Sequence, residues 1–203
     1  MEWAAEGFLD GLDAFGVAGC LKHFPGLGRA TVDSHLVLPR LEIDPEELEK
    51  DLAPFRALAD RVPAVMISHA ATGGGRLPAT LDFAVASDLL RADAAFSGVS
   101  VSDDLEMGAL TEFGGIPDRA AAAFAAGCDY LCVGNENASL PDAVAAIERT
   151  VSRERIDEAA GRIGRFHQAM IRLKREMPEA PRPVAEIVAA FHEAAASGDR
   201  RLP

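Results

Sequence analysis

Two imidazoles, an ammonium and a carboxylate fall within residues 22–35, in Lys22-His23-Phe24-Pro25-Gly26-Leu27-Gly28 and the following Asp33-Ser34-His35. The proline and glycines make the segment after His23 a loop. Asp33 and His35 are two positions apart, so in an extended loop both side chains point to the same side. A carboxylate beside an imidazole orients the ring and favours its protonated form. Such a pair can give a proton and then take one back. A second ionisable group, Asp103-Asp104, ends the run Gly98-Val99-Ser100-Val101-Ser102. A rigid carboxylate opposite a mobile acid/base suits glycoside hydrolysis with retention, in which one carboxylate attacks the anomeric carbon. His23, His35, His69 and the aspartates are also the residue types of a zinc site. They lack the His-x-x-x-His spacing or Cys/His clustering that such sites use.

Each group also has a plainer reading. Asp33-Ser34-His35 reads equally as a turn or helix cap, and Asp103-Asp104 as the N-cap of the next helix. Lys22 alone is a solvated strand end, and His69 alone a hydrogen-bonded core histidine. Thr72-Gly73-Gly74-Gly75 lacks the lysine and serine of a phosphate loop and reads as a flexible connection. His167 and His192 fall on helices away from these groups and read as structural. The plain readings leave one coincidence unexplained: successive apolar runs each end in polar groups, at Lys22-His23, His69, Asp103 and Asn135.

The elements that must position these residues follow from periodicity. Trp3, Phe8, Leu9, Leu12 and Phe15 at helical spacing predict a helix over 3–15. A strand over 17–22 and a loop over roughly 23–40 come next. Asp44-Pro45 opens a helix that runs to about Asp60, with aspartate as N-cap and proline at the first helical position. Residues 64–69 read as a strand, 87–96 as a helix capped by Ser87, and 98–102 as a strand ending at Asp103. The alanine-rich segment 118–126 is a helix stopped by Gly127, and 130–133 is a fourth strand. Helices over 140–151 and 154–177 complete a body spanning 1–177. Pro178, Pro181 and Pro183 mark a linker, so 178–203 reads as linker, terminal helix (184–196) and fraying tail.

Short apolar strands alternating with helices predict an α/β fold with a parallel sheet and right-handed crossovers. Polar groups at the carboxyl ends of about four such strands predict part of a (β/α)8 barrel of the TIM type, whose active sites lie on that face. A full barrel takes about 250 residues, and this chain has 203.

Composition narrows the setting. The formal charge of −12 argues against a nucleic-acid or anionic-membrane surface. No apolar run reaches membrane-spanning length, and the acidic start does not read as a signal peptide. Cys20, Cys128 and Cys132 lie in apolar sequence and read as buried free thiols of a reducing, cytoplasmic compartment.

Taken together, the first motif with Leu38-Pro39, and then Val101-Ser102-Asp103-Asp104-Leu105-Glu106-Met107, resemble the signatures of glycoside hydrolase family 3. The match is to its β-N-acetylglucosaminidase (β-hexosaminidase) branch. Met66-Ile67-Ser68-His69 and Leu77-Pro78-Ala79-Thr80 are also similar, and the likeness runs from about Phe8 to Lys174. The resemblance implies that Asp103 is the nucleophile, His35 the acid/base and Asp33 its partner. It implies that Lys22 and His23 bind the sugar, and that His69 lines the same pocket. Gly26 and Gly28 suit a loop that carries His35 over the substrate. The implied substrate is a saccharide with a terminal β-linked N-acetylglucosamine, as in muropeptides or chitooligosaccharides, with no metal or organic cofactor.

Against the family pattern, the chain corresponds to the carboxyl-terminal half of the barrel. The aspartate and arginine that usually clamp the sugar hydroxyls are not in it. The expectation is therefore a truncated or fragmentary member with impaired activity, since positioning can supply about 7–11 kcal/mol of barrier reduction. Two alternatives stay open. One is transfer of the sugar to phosphate. The other is a non-catalytic half-barrel that self-associates or pairs with another chain through its open edges.

Overall fold

In the computed structural model, residues 2–135 and 137–176 are described. Chain order runs α1 (Glu2–Ala14), β1 (Cys20–Phe24), β2 (Arg40–Leu41), α2 (Pro45–Leu58), β3 (Ala64–Ile67) and β4 (Ala71–Thr72). There follow a π-helix (Ala84–Asp93), β5 (Val99–Asp104), a 3₁₀ helix (Gly108–Phe113), α3 (Ile116–Ala126), β6 (Tyr130–Cys132), α4 (Leu140–Thr150) and α5 (Arg153–Glu176). The expected linker after 177, the terminal helix and His192 lie outside the described residues.

Four strands pair in the order β1-β3-β5-β6, all parallel. The sheet is open: it is a partial barrel, and among the described residues β1 and β6 each have one strand neighbour. The central strands show the burial expected of parallel strands covered on both faces. Ala64, Val65 and Ile67 of β3 are buried, as are Val99, Ser100 and Ser102 of β5. Helix α2 turns Leu52, Phe55 and Leu58 inward, and Phe55 meets Phe24 of β1 edge to face, ring centres 5.2 Å apart.

Several elements form for the reasons read in the sequence. Asp44 accepts a hydrogen bond from the Glu47 amide at 2.8 Å, Glu47 reaches back to the Asp44 amide, and Pro45 opens α2. Gly127 ends α3 with φ +133°, a conformation side chains disfavour.

Other boundaries differ. β1 covers 20–24, so Lys22 and His23 are strand residues and the loop starts at Pro25. Asp103 and Asp104 likewise belong to β5. The helix expected at 87–96 is a π-helix over 84–93 with Phe83 at its N-cap, and Asp82 accepts the Ala84 amide at 3.0 Å. Ser87 sits inside it and caps nothing. Cys20 is exposed and Cys132 half-buried, so of the three free thiols only Cys128 is buried as expected.

At the amino-terminal end of the sheet, the fully buried carboxylate of Asp129 meets three guanidinium groups. Arg91 from the π-helix lies at 2.8 Å, and Arg155 and Arg162 from α5 at 3.0 and 3.1 Å. Burial lowers the Arg91 pKa to about 10, against the pull of Asp129. This hub ties the start of β6 to the helices beneath it.

Candidate active site

The carboxyl ends of β1 and β5 bring two of the predicted groups together. The His23 Nε2 atom lies 3.7 Å from Asp103 Oδ2, too long for a hydrogen bond but close for a charge. Burial holds the His23 pKa below the usual imidazole value; Asp103 pulls it up, while Lys22 and His35 push it down. A neutral His23 keeps an N–H to offer a hydroxyl, and Asp103 is left without a full ion pair. Lys22, one position earlier, is exposed.

Asp103 and Asp104 have different surroundings. Asp103 Oδ1 accepts the Asp104 amide at 2.9 Å, and its Oδ2 faces His23. Asp104 Oδ1 accepts the amides of Glu106 and Gly134, at 3.0 and 3.2 Å. It stitches the ends of β5 and β6 and caps no helix. Asn135, at the end of β6, donates its side-chain amide to Glu106 at 3.1 Å and belongs to the same stitching.

The Asp33–His35 pair forms, but through a turn and not an extended loop. Asp33 Oδ1 accepts the backbone amide of His35 at 2.9 Å, and the ring Nδ1 of His35 lies 2.7 Å from the same oxygen. The turn and the pair are one structure, so the two readings of Asp33-Ser34-His35 do not compete. These two hydrogen bonds from His35 lower the Asp33 pKa, keeping it ionised. Both side chains are solvent-exposed, while Ser34 between them is buried.

His69, expected to line the sugar pocket, is fully buried. Its Nδ1 lies 2.7 Å from Thr80 Oγ1 and its Nε2 2.9 Å from the Asp104 carbonyl. A carbonyl only accepts, so Nε2 carries the proton. Burial lowers the ring's pKa, and the Thr80 hydroxyl beside Nδ1 donates to the Ser68 carbonyl at 2.7 Å. Both nitrogens are spent within the protein, and the ring braces the segment that carries Asp103.

The loop bearing His35 is tied down along its length. The pairing of β2 with β4 holds its far end. In its middle, the carbonyls of His35 and Ser34 accept the amides of Gly108 and Ala109 at 2.9 and 3.1 Å. Reading by residue type missed Gly108 and Thr80: a glycine amide and a hydroxyl carry no reactive signature. A cavity of about 290 Å³ opens between β1 and α2, bordered by Lys22, His23, Leu27, Lys50, Asp51 and Phe55, but not by Asp103 or His35. Among the described residues, no three His, Cys, Asp or Glu side chains cluster as metal ligands would.

Comparison with known proteins bears on this arrangement. Residues 2–166 match the glycosyl hydrolase family 3 N-terminal domain. The chain is 42% identical over 148 residues to a β-hexosaminidase of Alkalilimnicola ehrlichii, covering 71% of this chain and 41% of that protein. It is 39% identical over 147 residues to a β-hexosaminidase of Pseudomonas aeruginosa, covering 71% and 44%. Among solved structures, a glycoside hydrolase family 3 β-N-acetylglucosaminidase from a Paenibacillus species superposes with TM-score 0.76 at 34% identity, covering 86% of this chain and 34% of that one. The chain thus spans less than half the length of each of these three proteins.

Proposed function

Since the chain belongs to glycosyl hydrolase family 3, we propose that it carries the catalytic residues for retaining hydrolysis of terminal β-linked N-acetylglucosamine. The observation that carries this reading is the meeting of His23 and Asp103 across the sheet, 3.7 Å apart. The exposed Asp33–His35 pair hangs from the segment that follows Asp103. The names of the relatives support the substrate; muropeptides from peptidoglycan and chitooligosaccharides are the saccharides that fit it.

In the first step, an Asp103 oxygen bonds to the anomeric carbon as the bond to the leaving oxygen breaks, and that oxygen takes a proton from His35. In the second, His35 takes a proton from water, whose oxygen displaces Asp103 and regenerates the carboxylate. Asp33, held ionised, steadies the imidazolium between the steps. Lys22 and His23 hold sugar hydroxyls on the β1 side. No step calls on a metal or organic cofactor.

A fluorinated N-acetylglucosaminyl donor that is slow to hydrolyse tests this directly. One sugar mass on the peptide holding Asp103 is expected; label on another residue, or none while turnover proceeds, would overturn it. The open β1 and β6 edges favour a second statement: pairing across them, with a second copy or another chain, completes the sugar site. Free thiols, one of them exposed, accord with a cytoplasmic setting. No described helix is long and apolar enough to cross a membrane.

A further inference from the structure

We propose that Gly108 is a positioning residue that sets where the acid/base His35 stands relative to the nucleophile; this rests on the roles given above. Gly108 and Ala109 are the first two residues of the 3₁₀ helix that follows β5. Their amides have no partner inside that helix. Both point at the loop instead, donating to the carbonyls of His35 and Ser34. Between the exposed Asp33 and His35, Ser34 is buried against the body. In its middle the loop therefore docks through its backbone and the small side chain of Ser34, leaving its reactive groups outward.

The approach is close enough to exclude any side chain at 108. A Cβ there would lie 2.4 Å from the Leu36 oxygen and 2.7 Å from both the His35 oxygen and the Leu36 carbonyl carbon. All three are backbone atoms, so no rotamer change relieves the clash. Gly108 does not occupy the left-handed region, so alanine suits its backbone and disturbs only the contact. The same short segment carries Asp103 at one end and receives His35 at the other. Acid/base and nucleophile are thus spaced by one backbone contact and not by two independent loops.

Hydrogen exchange on the full 203-residue chain tests the docking without relying on turnover. In the unaltered protein, the Gly108 and Ala109 amides are expected to be protected. Exchange at unprotected rates there would sink the proposal before any variant is made. In Gly108→Ala, exchange at Ala109 should rise on the order of tenfold or more, and cleavage by protease at 33–38 should quicken. Unchanged exchange and cleavage in a folded variant would refute the docking.

The catalytic role is read from leaving groups. With a poor leaving group, Gly108→Ala should lower kcat/KM on the order of 10²-fold. With a dinitrophenyl leaving group, which needs no proton, it should stay within about twofold. Equal losses on both substrates would mean a general structural defect and overturn the positioning role. If His35→Ala itself showed no such dependence, the acid/base assignment would fail, while the exchange result would still decide the docking.

Discussion

At the scale of single residues, the proposed function makes two neighbouring aspartates divide chemistry from support. Asp103 faces His23, whereas Asp104 is committed to the Glu106 and Gly134 amides. Asp103→Ala should lower kcat/KM on an aryl β-N-acetylglucosaminide by on the order of 10⁴-fold or more, with the urea midpoint little changed. Asp104→Ala should instead cost about 1–3 kcal/mol of stability by stranding those amides. Reversal of the two effects would exchange their roles. His69 predicts a pH effect. Its pKa is lowered in the fold from 6.5, so the unfolded chain binds the proton more readily. Its contribution is complete above about pH 6.5 and is lost as pH falls from there toward the lowered folded value. Urea midpoints between pH 8 and 5 should drop on the acid side, and His69→Gln should remove most of that drop, leaving the part due to His23. Asp33, His35 and Asp103 stood out as candidates because few side-chain types can do the proposed chemistry, and the pairing of Asp33 with His35 is seen in the structure. The assignment of His69 was not legible, because only its partners, Thr80 and the Asp104 carbonyl, distinguish a brace from a ligand.

At the scale of elements, legibility followed how local the cause was. The start of α2 was readable because Asp44, Pro45 and Glu47 act on one another within a single turn; Asp44→Ala should cost about 1 kcal/mol. The π-helix was not readable from spacing alone. Arg91 on it reaches Asp129, the Ser100 hydroxyl and the Phe96 and Gly98 carbonyls, contacts that exist only once the sheet has formed. The same hub yields a larger prediction. Asp129→Ala removes the one carboxylate shared by Arg91, Arg155 and Arg162 and leaves three half-buried cations facing each other. A loss of about 3–5 kcal/mol is expected by urea denaturation. The proposed site lies at the other end of the sheet, so the fraction that remains folded should keep whatever sugar binding the unaltered chain shows. A loss comparable to that of Asp44→Ala would show that the arginines find other partners.

At the scale of the whole molecule, the open sheet is the dominant fact. Parallel sheets are ordinarily buried, and an unpaired edge strand invites another. Apolar side chains stand exposed on α1 and on the segment that joins it to β1: Phe8, Phe15 and Val17 are 70%, 50% and 47% exposed. The chain also carries a formal charge of −12, so in the proposed pairing two copies would repel at long range while their apolar edges attract at contact. These two forces respond oppositely to salt. Screening weakens the repulsion and leaves apolar burial intact. Sedimentation should therefore show the larger species gaining with concentration, and gaining further as salt rises from about 0.01 M to 1 M, where the screening length falls from about 30 to 3 Å. An interface built on opposite charges would weaken over that range. Phe8→Lys with Phe15→Lys should return the chain to a monomer without shifting the pairing of β1 with β3. A monomer at every salt and concentration would overturn self-association through the β1 and β6 edges, because repulsion between copies would by then have been removed as the explanation.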